Sequence, residues 1–345
     1  MNGTTQFKFR QLGVVVITWL VIGLLIAIYD HLVLHTHNAA GPSAQYTLAA
    51  SIALNMGIGL FGALLGGGSL IFFVNVKYQD KPYGQTILVV TISFILIILT
   101  INLILRAFSL PDSIRMAKNG LVWAVVVATT QLLLQINSKF GPGTFWNIIS
   151  GKYNTPREER RIFMFLDINS STSIAERLGD KKYHELLKDF FMDITNPVLD
   201  CKGEIYQYVG DEVVIAWQYE NGIENSQCVQ CFFDIKRYLQ KKEEKYLQQY
   251  GVLPSFKAGI HCGHVIAGEI GVIKRDITYS GDVLNTTSRI QSLCKEFNEE
   301  VIMSADLAAN LRLTSQYSTA ALGVIRLRGK EKEMRLIALR PSVNS

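Results

Sequence analysis

The sequence predicts two units: an N-terminal α-helical transmembrane bundle, and a C-terminal α/β domain with a substantially antiparallel sheet. Three observations predict this architecture. Long uncharged segments recur before residue 139, almost all acidic residues come after that position, and apolar patterns typical of strands and helices alternate beyond residue 160. At 345 residues, the chain is long enough for both units.

Four uncharged segments predict the membrane domain, which we assign to residues 1–138. Each segment reaches, or nearly reaches, the roughly 20 residues that span a bilayer. Because hydrophobic segments keep recurring after the first one, we expect a lipid-embedded anchor and not a cleavable signal peptide. The predicted spans are residues 13–29 with an extension at 32–34, then 46–76, 85–105 and 120–137.

The charge distribution predicts the orientation in the membrane. Residues 1–139 hold eight Lys or Arg and three Asp or Glu, so the whole net charge of +5 lies there. Lys8 and Arg10 precede the first span, Lys77 and Lys81 separate the second span from the third, and the first loop has no basic residue. The positive-inside rule then predicts a cytoplasmic N-terminus. Four spans return the C-terminal half to the cytoplasm, as expected of a multi-pass protein of the cell inner membrane.

The C-terminal half is neutral overall, because the excess charge lies in the first part of the chain. It therefore lacks the basic surface that nucleic-acid binding needs, and we expect no nucleic-acid partner. All five cysteines fall in this half, which suits the reducing cytosol. Cys228 and Cys231 have CxxC spacing, but there is no second pair, so we expect them to face the core of an amphipathic helix.

The predicted elements of the C-terminal half alternate between strands and helices. Residues 139–160, with Gly and Pro breaks, predict a linker, and residues 161–345 predict the folded domain. The expected order is strand 163–167, helix 173–195, strands 203–208 and 212–217, helix 224–248, strands 256–263 and 265–271, helix 284–296, strand 299–304, and a final pair of strands near 320–340.

Two acidic residues are candidates for a metal site, and the first of them, Asp167, stands where a carboxylate is costly to bury. Asp167 ends a buried apolar strand, and Asp211 lies in a hairpin between two β-type runs. If the hairpin lies beside the first strand, the two carboxylates repel each other, and divalent cations resolve that repulsion. The small residues after Asp167 fit a tight turn and a helix start, whose free N–H groups bind phosphate. Taken alone, each residue also fits a plain cap or turn.

Five motifs follow one another over about residues 160–340: FLDINSST, YQYVGDEVVIAW, AGIHCGHVIAGEIG, YSGDVLNTTSRI and LRGKEKE. Together, in order and spacing, they resemble the class III nucleotidyl cyclases. The similarity is to membrane-anchored bacterial adenylyl cyclases in particular, because the linker also looks like theirs. This resemblance implies a ferredoxin-like α+β sandwich for the cyclase domain.

The resemblance implies a two-metal site. Asp167 and Asp211 match the metal-binding aspartates, and the Ile168 carbonyl matches a further ligand, with two Mg²⁺ or Mn²⁺ ions as cofactors. The backbone amides of four consecutive residues would hold the triphosphate. These are Asn169, Ser170, Ser171 and Thr172.

The same resemblance assigns the residues that act on the nucleotide. Asn285 and Arg289 match the pair that orients the ribose and stabilises the transition state, and their i, i+4 spacing puts both on one helix face. Lys330 matches a phosphate-binding lysine. In this family the aspartates and the Asn/Arg pair come from opposite chains, so a homodimer with two equivalent sites is implied.

The two base-selecting positions depart from the commonest pattern of the adenylyl cyclases. Gln207 stands where many have Lys, and Thr278 stands where many have Asp. A Gln amide and a Thr hydroxyl can both pair with an adenine edge, whereas guanine prefers a firm acceptor such as Glu. ATP is therefore the favoured substrate, and GTP stays open.

The sequence thus predicts an adenylate cyclase that converts ATP to 3′,5′-cyclic AMP and pyrophosphate, with regulation through the membrane domain left open. A guanylate cyclase is the first alternative. A diguanylate cyclase is a weaker one, because it leaves Asn285, Arg289 and the RGK lysine without a role. A non-catalytic receptor has no need of the retained aspartates and Asn/Arg pair.

Overall fold

The computed structural model describes residues 3–34, 48–78, 81–107, 113–140, 147, 150–273 and 275–342. The first predicted loop, at 35–45, and most of the linker between 141 and 149 lie outside these residues. The chain divides into two units, one containing Thr5–Phe145 and the other containing Trp146–Ser345.

The first unit is helical. Three of its helical stretches are long and apolar enough to cross a membrane: Gly3–Leu32, Ser51–Val74 and Gly120–Asn137. The predicted span 85–105 lies in a fourth helix, where the apolar stretch among the described side chains, Gly84–Leu96, is shorter. The helices are α1 (Gly3–Tyr29), α2 (Leu48–Gly62), α3 (Tyr83–Ala107) and α4 (Ser113–Phe140), with π-helical turns at Asp30–Leu34, Ala63–Gly67 and Leu70–Val74 and a helical turn at Asn75–Lys77.

Trp19 lies at the centre of this unit, with 1% of its surface exposed. Its ring stacks at a tilt on Trp123, with centroids 5.5 Å apart, and its indole N–H donates to Thr130 Oγ1 at 3.0 Å. Helix α2 can approach closely because it carries glycine here: a Cβ at Gly59 would lie 2.8 Å from the Trp19 carbonyl oxygen. Close helix packing therefore explains part of the glycine content of this segment.

The second unit has eight strands among the described residues. The strands are β1 (Arg157–Ile168), β2 (Glu204–Val209), β3 (Glu212–Gln218), β4 (Phe256–Ile270), β5 (Asp276–Ser280), β6 (Val301–Ser304), β7 (Tyr317–Arg326) and β8 (Glu333–Pro341). The helices are α5 (Ser171–Leu178), α6 (Asp180–Asp200), α7 (Tyr219–Ile223), α8 (Gln227–Gln240), α9 (Glu243–Tyr250), α10 (Asp282–Glu296) and α11 (Ala305–Ala308), with a 3₁₀ turn at Glu224–Ser226.

These strands form one mixed sheet in the order β2-β3-β1-β4-β6-β8-β7, with β5 paired to β4. The β4–β6 pair is parallel, and the other strand pairs in the sheet are antiparallel. The predicted α+β class with a substantially antiparallel sheet is confirmed.

Apolar side chains cover both faces of the sheet. Helices α6 and α8 pack on one face, where Phe190 and Phe232 are fully buried and the predicted core position of Cys228 and Cys231 is confirmed. Helix α10 packs on the other face. A Cβ at Gly259 of β4 would lie 2.3 Å from the Gln291 backbone nitrogen, so glycine is what lets α10 sit this close.

The boundaries differ from the prediction at four places. The predicted helix 224–248 is a 3₁₀ turn followed by the separate helices α8 and α9. The predicted helix 173–195 is two helices, because Gly179 (φ 75°) breaks it. Strands predicted at 256–263 and 265–271 are the single strand β4. Gly263 looks like a turn residue in the sequence, but its missing side chain leaves room for Val283, which a Cβ would approach to 2.5 Å. Strand β5 was not predicted.

Candidate active site

Asp167 lies at the end of β1, between two strands that continue the sheet. Its backbone neighbours are Glu212 on β3 and Lys257 on β4. The preceding Leu166 is fully buried, and Asp167 is half-buried. Lys257 does not neutralise it, because the Lys257 ammonium donates to the Cys294 carbonyl oxygen at 3.3 Å. The strand end thus holds a carboxylate without a basic partner among the described ion pairs.

Asp211 faces Asp167 from the β2–β3 hairpin. The last pair of that ladder is Val209 with Glu212, so Gly210 and Asp211 form the turn, and Gly210 has the positive φ (65°) that such turns require. The two carboxyl groups lie close enough for their charges to interact. Burial and the Asp211 charge raise the pKa of Asp167 to about 6. The structure therefore brings together the two aspartates that the sequence analysis paired.

Glu212 is a third acid at this edge, and the sequence analysis missed it. Burial, with the charges of Asp167 and Asp211, raises the pKa of Glu212 to about 7. The Gly-Asp-Glu run was the available signal, but a residue following a turn looks like an ordinary exposed strand start.

Gln291 was also missed. It lies on α10, and its Nε2 donates to Asp167 Oδ2 at 3.3 Å. The Gln291 amide and the nearby Ile168 backbone N–H both lower the pKa of Asp167, against the larger effect of burial. No sequence pattern links two positions so far apart in the chain.

Divalent cations fit this edge. The donors are carboxylate oxygens, which Mg²⁺ and Mn²⁺ prefer, and two carboxyl groups in contact need positive charge to ionise together. Among the described residues, no group of three or more His, Cys, Asp or Glu forms a complete metal site. Mg²⁺ is commonly bound by one or two carboxylates together with oxygens of a substrate phosphate.

The turn after Asp167 starts helix α5. Ser170 adopts a left-handed conformation (φ 55°), and the helix begins at Ser171 without a side-chain cap, so its first N–H groups are open for an anion. The Asn169 N–H differs from the other predicted phosphate contacts, because it donates to the Ser255 carbonyl oxygen at 2.8 Å. Of the four predicted phosphate contacts, the Asn169 N–H is thus already occupied within the chain.

Helix α10 carries Asn285 and Arg289 one turn apart. Asn285 is exposed and Arg289 is partly buried. The Arg289 guanidinium lies beside Gly329 in the β7–β8 turn, where a Cβ would approach it to 3.4 Å. A surface cavity of about 420 Å³ opens here. Its lining is basic and includes Arg289, Arg326 and Arg328.

Lys330 closes the same turn. Its ammonium pairs with the Asp282 carboxylate at the start of α10, and this contact holds the pKa of Asp282 below its usual value. Lys330 therefore lies on the same side of the domain as Arg289, but already paired with an acid.

Gln207 and Thr278 lie on the short strands β2 and β5. Gln207 is exposed. The Thr278 hydroxyl donates to the Gly268 carbonyl oxygen at 3.5 Å, which leaves its oxygen lone pairs as acceptors. The residues next to them, Tyr206 and Tyr279, are in contact, with ring centroids 4.9 Å apart.

The predicted site residues have different neighbours within one chain. Asp167 and Asp211 lie near each other at the strand edge, and the α10 residue that contacts Asp167 is Gln291. Arg289 lies instead with Gly329 and the basic cavity.

The fold and the acidic edge define an α+β domain suited to binding a metal-bound phosphate. A sequence profile of the family described as "Adenylate and Guanylate cyclase catalytic domain" matches residues 154–339, more than half of the chain. The chain therefore belongs to the class III adenylate and guanylate cyclases, as the motifs indicated.

Named relatives agree with this family. The chain is 35% identical over 232 residues to "Adenylate cyclase 2" of Rhizobium meliloti (strain 1021), which covers 67% of this chain and 64% of that protein. It is 26% identical over 202 residues to "Adenylate cyclase" of Anabaena cylindrica, which covers 56% of this chain and 39% of that protein. The chain thus spans less than two thirds of the length of either relative.

A solved structure of a bacterial light-regulated adenylyl cyclase shares the fold. Its TM-score is 0.55 at 19% identity, and the match covers 64% of this chain and 65% of that one.

The acidic edge predicts a metal-dependent change in stability with pH. Folding raises the pKa of Asp167 from 3.8 to about 6 and that of Glu212 from 4.5 to about 7. The folded state thus holds protons that the unfolded state has lost. The free energy of unfolding gains a contribution from these bound protons. That contribution is complete when the pH is below the unfolded-state pKa values, and it is lost as the pH rises through about 6 and 7. After screening by solvent, we expect a loss of about 1 kcal/mol for Asp167 without metal.

Thermal unfolding of the purified protein in EDTA and in Mn²⁺, at pH 5 and pH 8, checks this. Because protons compete with the cation, Mn²⁺ should raise the unfolding midpoint more at pH 8 than at pH 5. Equal shifts at both pH values would contradict a metal site at these carboxylates.

Proposed function

We propose that this protein is a membrane-anchored adenylate cyclase that converts ATP to 3′,5′-cyclic AMP and pyrophosphate. The observation that carries the proposal is the proximity of the Asp167 and Asp211 carboxyl groups, at the edge of a sheet of the cyclase fold. Sequence similarity to proteins named adenylate cyclase supports the choice of ATP over GTP.

Asp167 and Asp211 would hold two Mg²⁺ or Mn²⁺ ions, with the Ile168 carbonyl as a further ligand. When bound, the ions supply positive charge that lowers the pKa of the ribose 3′-hydroxyl and neutralises the phosphates. Gln291 orients the Asp167 carboxylate through its 3.3 Å hydrogen bond. The first N–H groups of α5 bind phosphate oxygens at the same edge.

Asn285 and Arg289 act on the nucleotide itself. Asn285 orients the ribose so that its 3′-oxygen is in line with the α-phosphorus. Arg289 donates to the phosphate oxygens as negative charge develops on them. Lys330 binds the departing pyrophosphate, in competition with its present partner Asp282.

The site is complete only when two chains meet. In one chain the described side-chain partner of Asp167 on α10 is Gln291, whereas Arg289 lies beside Gly329. Both Asp167 and Arg289 are only partly buried, which supports a role for a second copy. A homodimer related by a twofold axis brings the aspartates of one chain to the Arg289 of the other, twice. The membrane domain anchors this dimer in the lipid bilayer, and the cyclase domains are cytoplasmic.

Gln207 and Thr278 select the base in this proposal. The Thr278 oxygen is free to accept from the adenine N6 amino group, and the Gln207 amide pairs with the ring edge. A Gln207→Glu variant replaces an adaptable amide by an acceptor that suits guanine. Because one mispaired hydrogen bond costs roughly 1–3 kcal/mol, we expect the ATP/GTP ratio of kcat/KM to fall about tenfold or more.

The test is a product assay on the purified protein and on Gln207→Glu, with ATP or GTP and with Mn²⁺ or Mg²⁺. Cyclic AMP from ATP supports the proposal. Cyclic GMP alone would indicate the guanylate cyclase, a dinucleotide product from GTP would indicate the diguanylate cyclase, and no product would indicate a receptor. An unchanged ratio in the variant would remove Gln207 from base selection.

A further inference from the structure

Strand β2 contains a bulge beside the base-selecting residue. Ile205 pairs with Ile215 and Gln207 pairs with Val214, so Tyr206 is an extra residue without a partner on β3. A bulge of this kind turns the side chains that follow it.

The bulge decides which face of the sheet Gln207 occupies. Residues directly opposite each other on antiparallel strands share a face. Ile205 and its partner Ile215 lie on the face covered by α6 and α8. Strict alternation would return Gln207 to that face. Because Tyr206 is extra, Gln207 is instead opposite Val214, which packs on the other face with Phe163.

That other face is the one on which α10 begins. Val283, in the first turn of α10, packs there with Phe163 and Val265. The bulge therefore puts Gln207 on the side of the sheet from which α10 presents Asn285 and Arg289.

Tyr206 also ties β2 to β5. Its hydroxyl oxygen accepts a hydrogen bond from the Tyr279 backbone N–H at 3.2 Å, in the peptide next to Thr278. The two rings are in contact with each other, and Phe163 lies against both, with centroids 5.6 Å from Tyr279 and 6.4 Å from Tyr206.

Arg161 contacts the aromatic cluster formed by Phe163, Tyr206 and Tyr279. It is 2% exposed, and its guanidinium lies 4.6 Å from the centre of the Tyr279 ring. Glu159 accepts from it at 2.8 Å and Glu204, at the start of β2, at 3.3 Å. One buried cation thus links β1, β2 and β5, which limits movement between the two base-selecting strands.

We propose that Tyr206 is the positioning residue for base selection. Its place in the bulge aims Gln207 at the nucleotide, and its hydroxyl fixes the distance between Gln207 and Thr278. This inference rests on the proposed cyclase function and on those two residues as base readers. In this inference Tyr206 does not touch the base. It sets the distance between Gln207 and Thr278, and that distance affects the discrimination between adenine and guanine.

The test compares Tyr206→Phe with Tyr208→Phe. Both variants lose one hydroxyl from the same strand, but Tyr208 packs on Phe191 of α6, on the opposite face, with ring centroids 4.5 Å apart. In Tyr206→Phe the acceptor of the Tyr279 N–H is gone and the ring contacts stay. We expect the ATP/GTP ratio of kcat/KM to fall about three- to tenfold, mainly through a higher KM for ATP. In Tyr208→Phe it should change less than about twofold.

Hydrogen exchange on the same proteins gives a readout that does not depend on activity. The Tyr279 amide should exchange faster in Tyr206→Phe than in the wild type, and at an unchanged rate in Tyr208→Phe. An unchanged ratio in Tyr206→Phe, or an equal change in Tyr208→Phe, would overturn the inference.

The Gln207→Glu variant separates the two possible failures. If the wild type makes no cyclic nucleotide, the proposed function fails. If Gln207→Glu shifts the ratio and Tyr206→Phe does not, the cyclase function stands and the positioning role of Tyr206 fails.

Discussion

Asp211→Asn is expected to lose at least about a hundredfold in cyclase activity while the protein stays folded in the membrane. The amide keeps the shape of the turn but supplies no anionic oxygen to a divalent cation. The same change removes a like charge from beside Asp167, whose pKa is raised to about 6 by burial and by that charge. Without metal at pH 8, the variant should therefore unfold at the same temperature as the wild type or a higher one.

Two measurements on the same preparation separate loss of function from loss of fold. The first is the rate of cyclic AMP formation at saturating Mn²⁺, and the second is the thermal unfolding midpoint in EDTA. Glu212→Gln is the matched control, because it is the same change of charge one residue further along the hairpin. We expect a much smaller loss of activity there. Normal activity of Asp211→Asn at saturating metal would rule out the two-ion assignment.

The sequence was informative where chemistry is local. Asp167 at a strand end and Asp211 in a hairpin are short-range patterns, and the motifs around them are sufficient to indicate the family. The α+β class was predictable because apolar runs of strand and helix length alternate. Helix boundaries were less predictable from the sequence. The single residue Gly179, which has a positive φ, breaks the predicted helix 173–195.

The sequence was less informative where packing across the fold decides. Gly263 looks like a turn residue, yet β4 continues through it. The residue is glycine because a side chain there would clash with Val283. Gln291 contacts Asp167 across 124 positions of sequence, which no local pattern encodes. The β2 bulge is another such case. The bulge shifts the alternation of side chains by one residue, and only the pairing with β3 shows that Tyr206 is the extra residue.

The largest expected gain of activity comes from combining two inactive variants. In the proposed homodimer, Asp167→Ala would remove a metal ligand from both sites, and Arg289→Ala would remove transition-state stabilisation from both sites. In a mixed dimer, one site inherits both lesions. The other site receives an intact Asp167 from one chain and an intact Arg289 from its partner. Half of randomly paired dimers are mixed, so about a quarter of the wild-type activity should return.

A matched control uses two lesions in the same group of residues. Asp167→Ala combined with Asp211→Asn leaves every site of a mixed dimer without one of its two aspartates, so no activity should return. This control pair of variants is co-expressed in the same way and with the same tags as the first pair. It differs only in the position of the second substitution.

The measurement that tests the shared site most directly is the specific activity of isolated mixed dimers. The Asp167→Ala and Arg289→Ala chains are co-expressed with different tags, and the doubly tagged dimers are purified and assayed with Mn²⁺-ATP. We expect about half of the wild-type rate of cyclic AMP formation per dimer, since one site of two is intact. Activity no higher than that of either single variant would contradict an active site built from two chains.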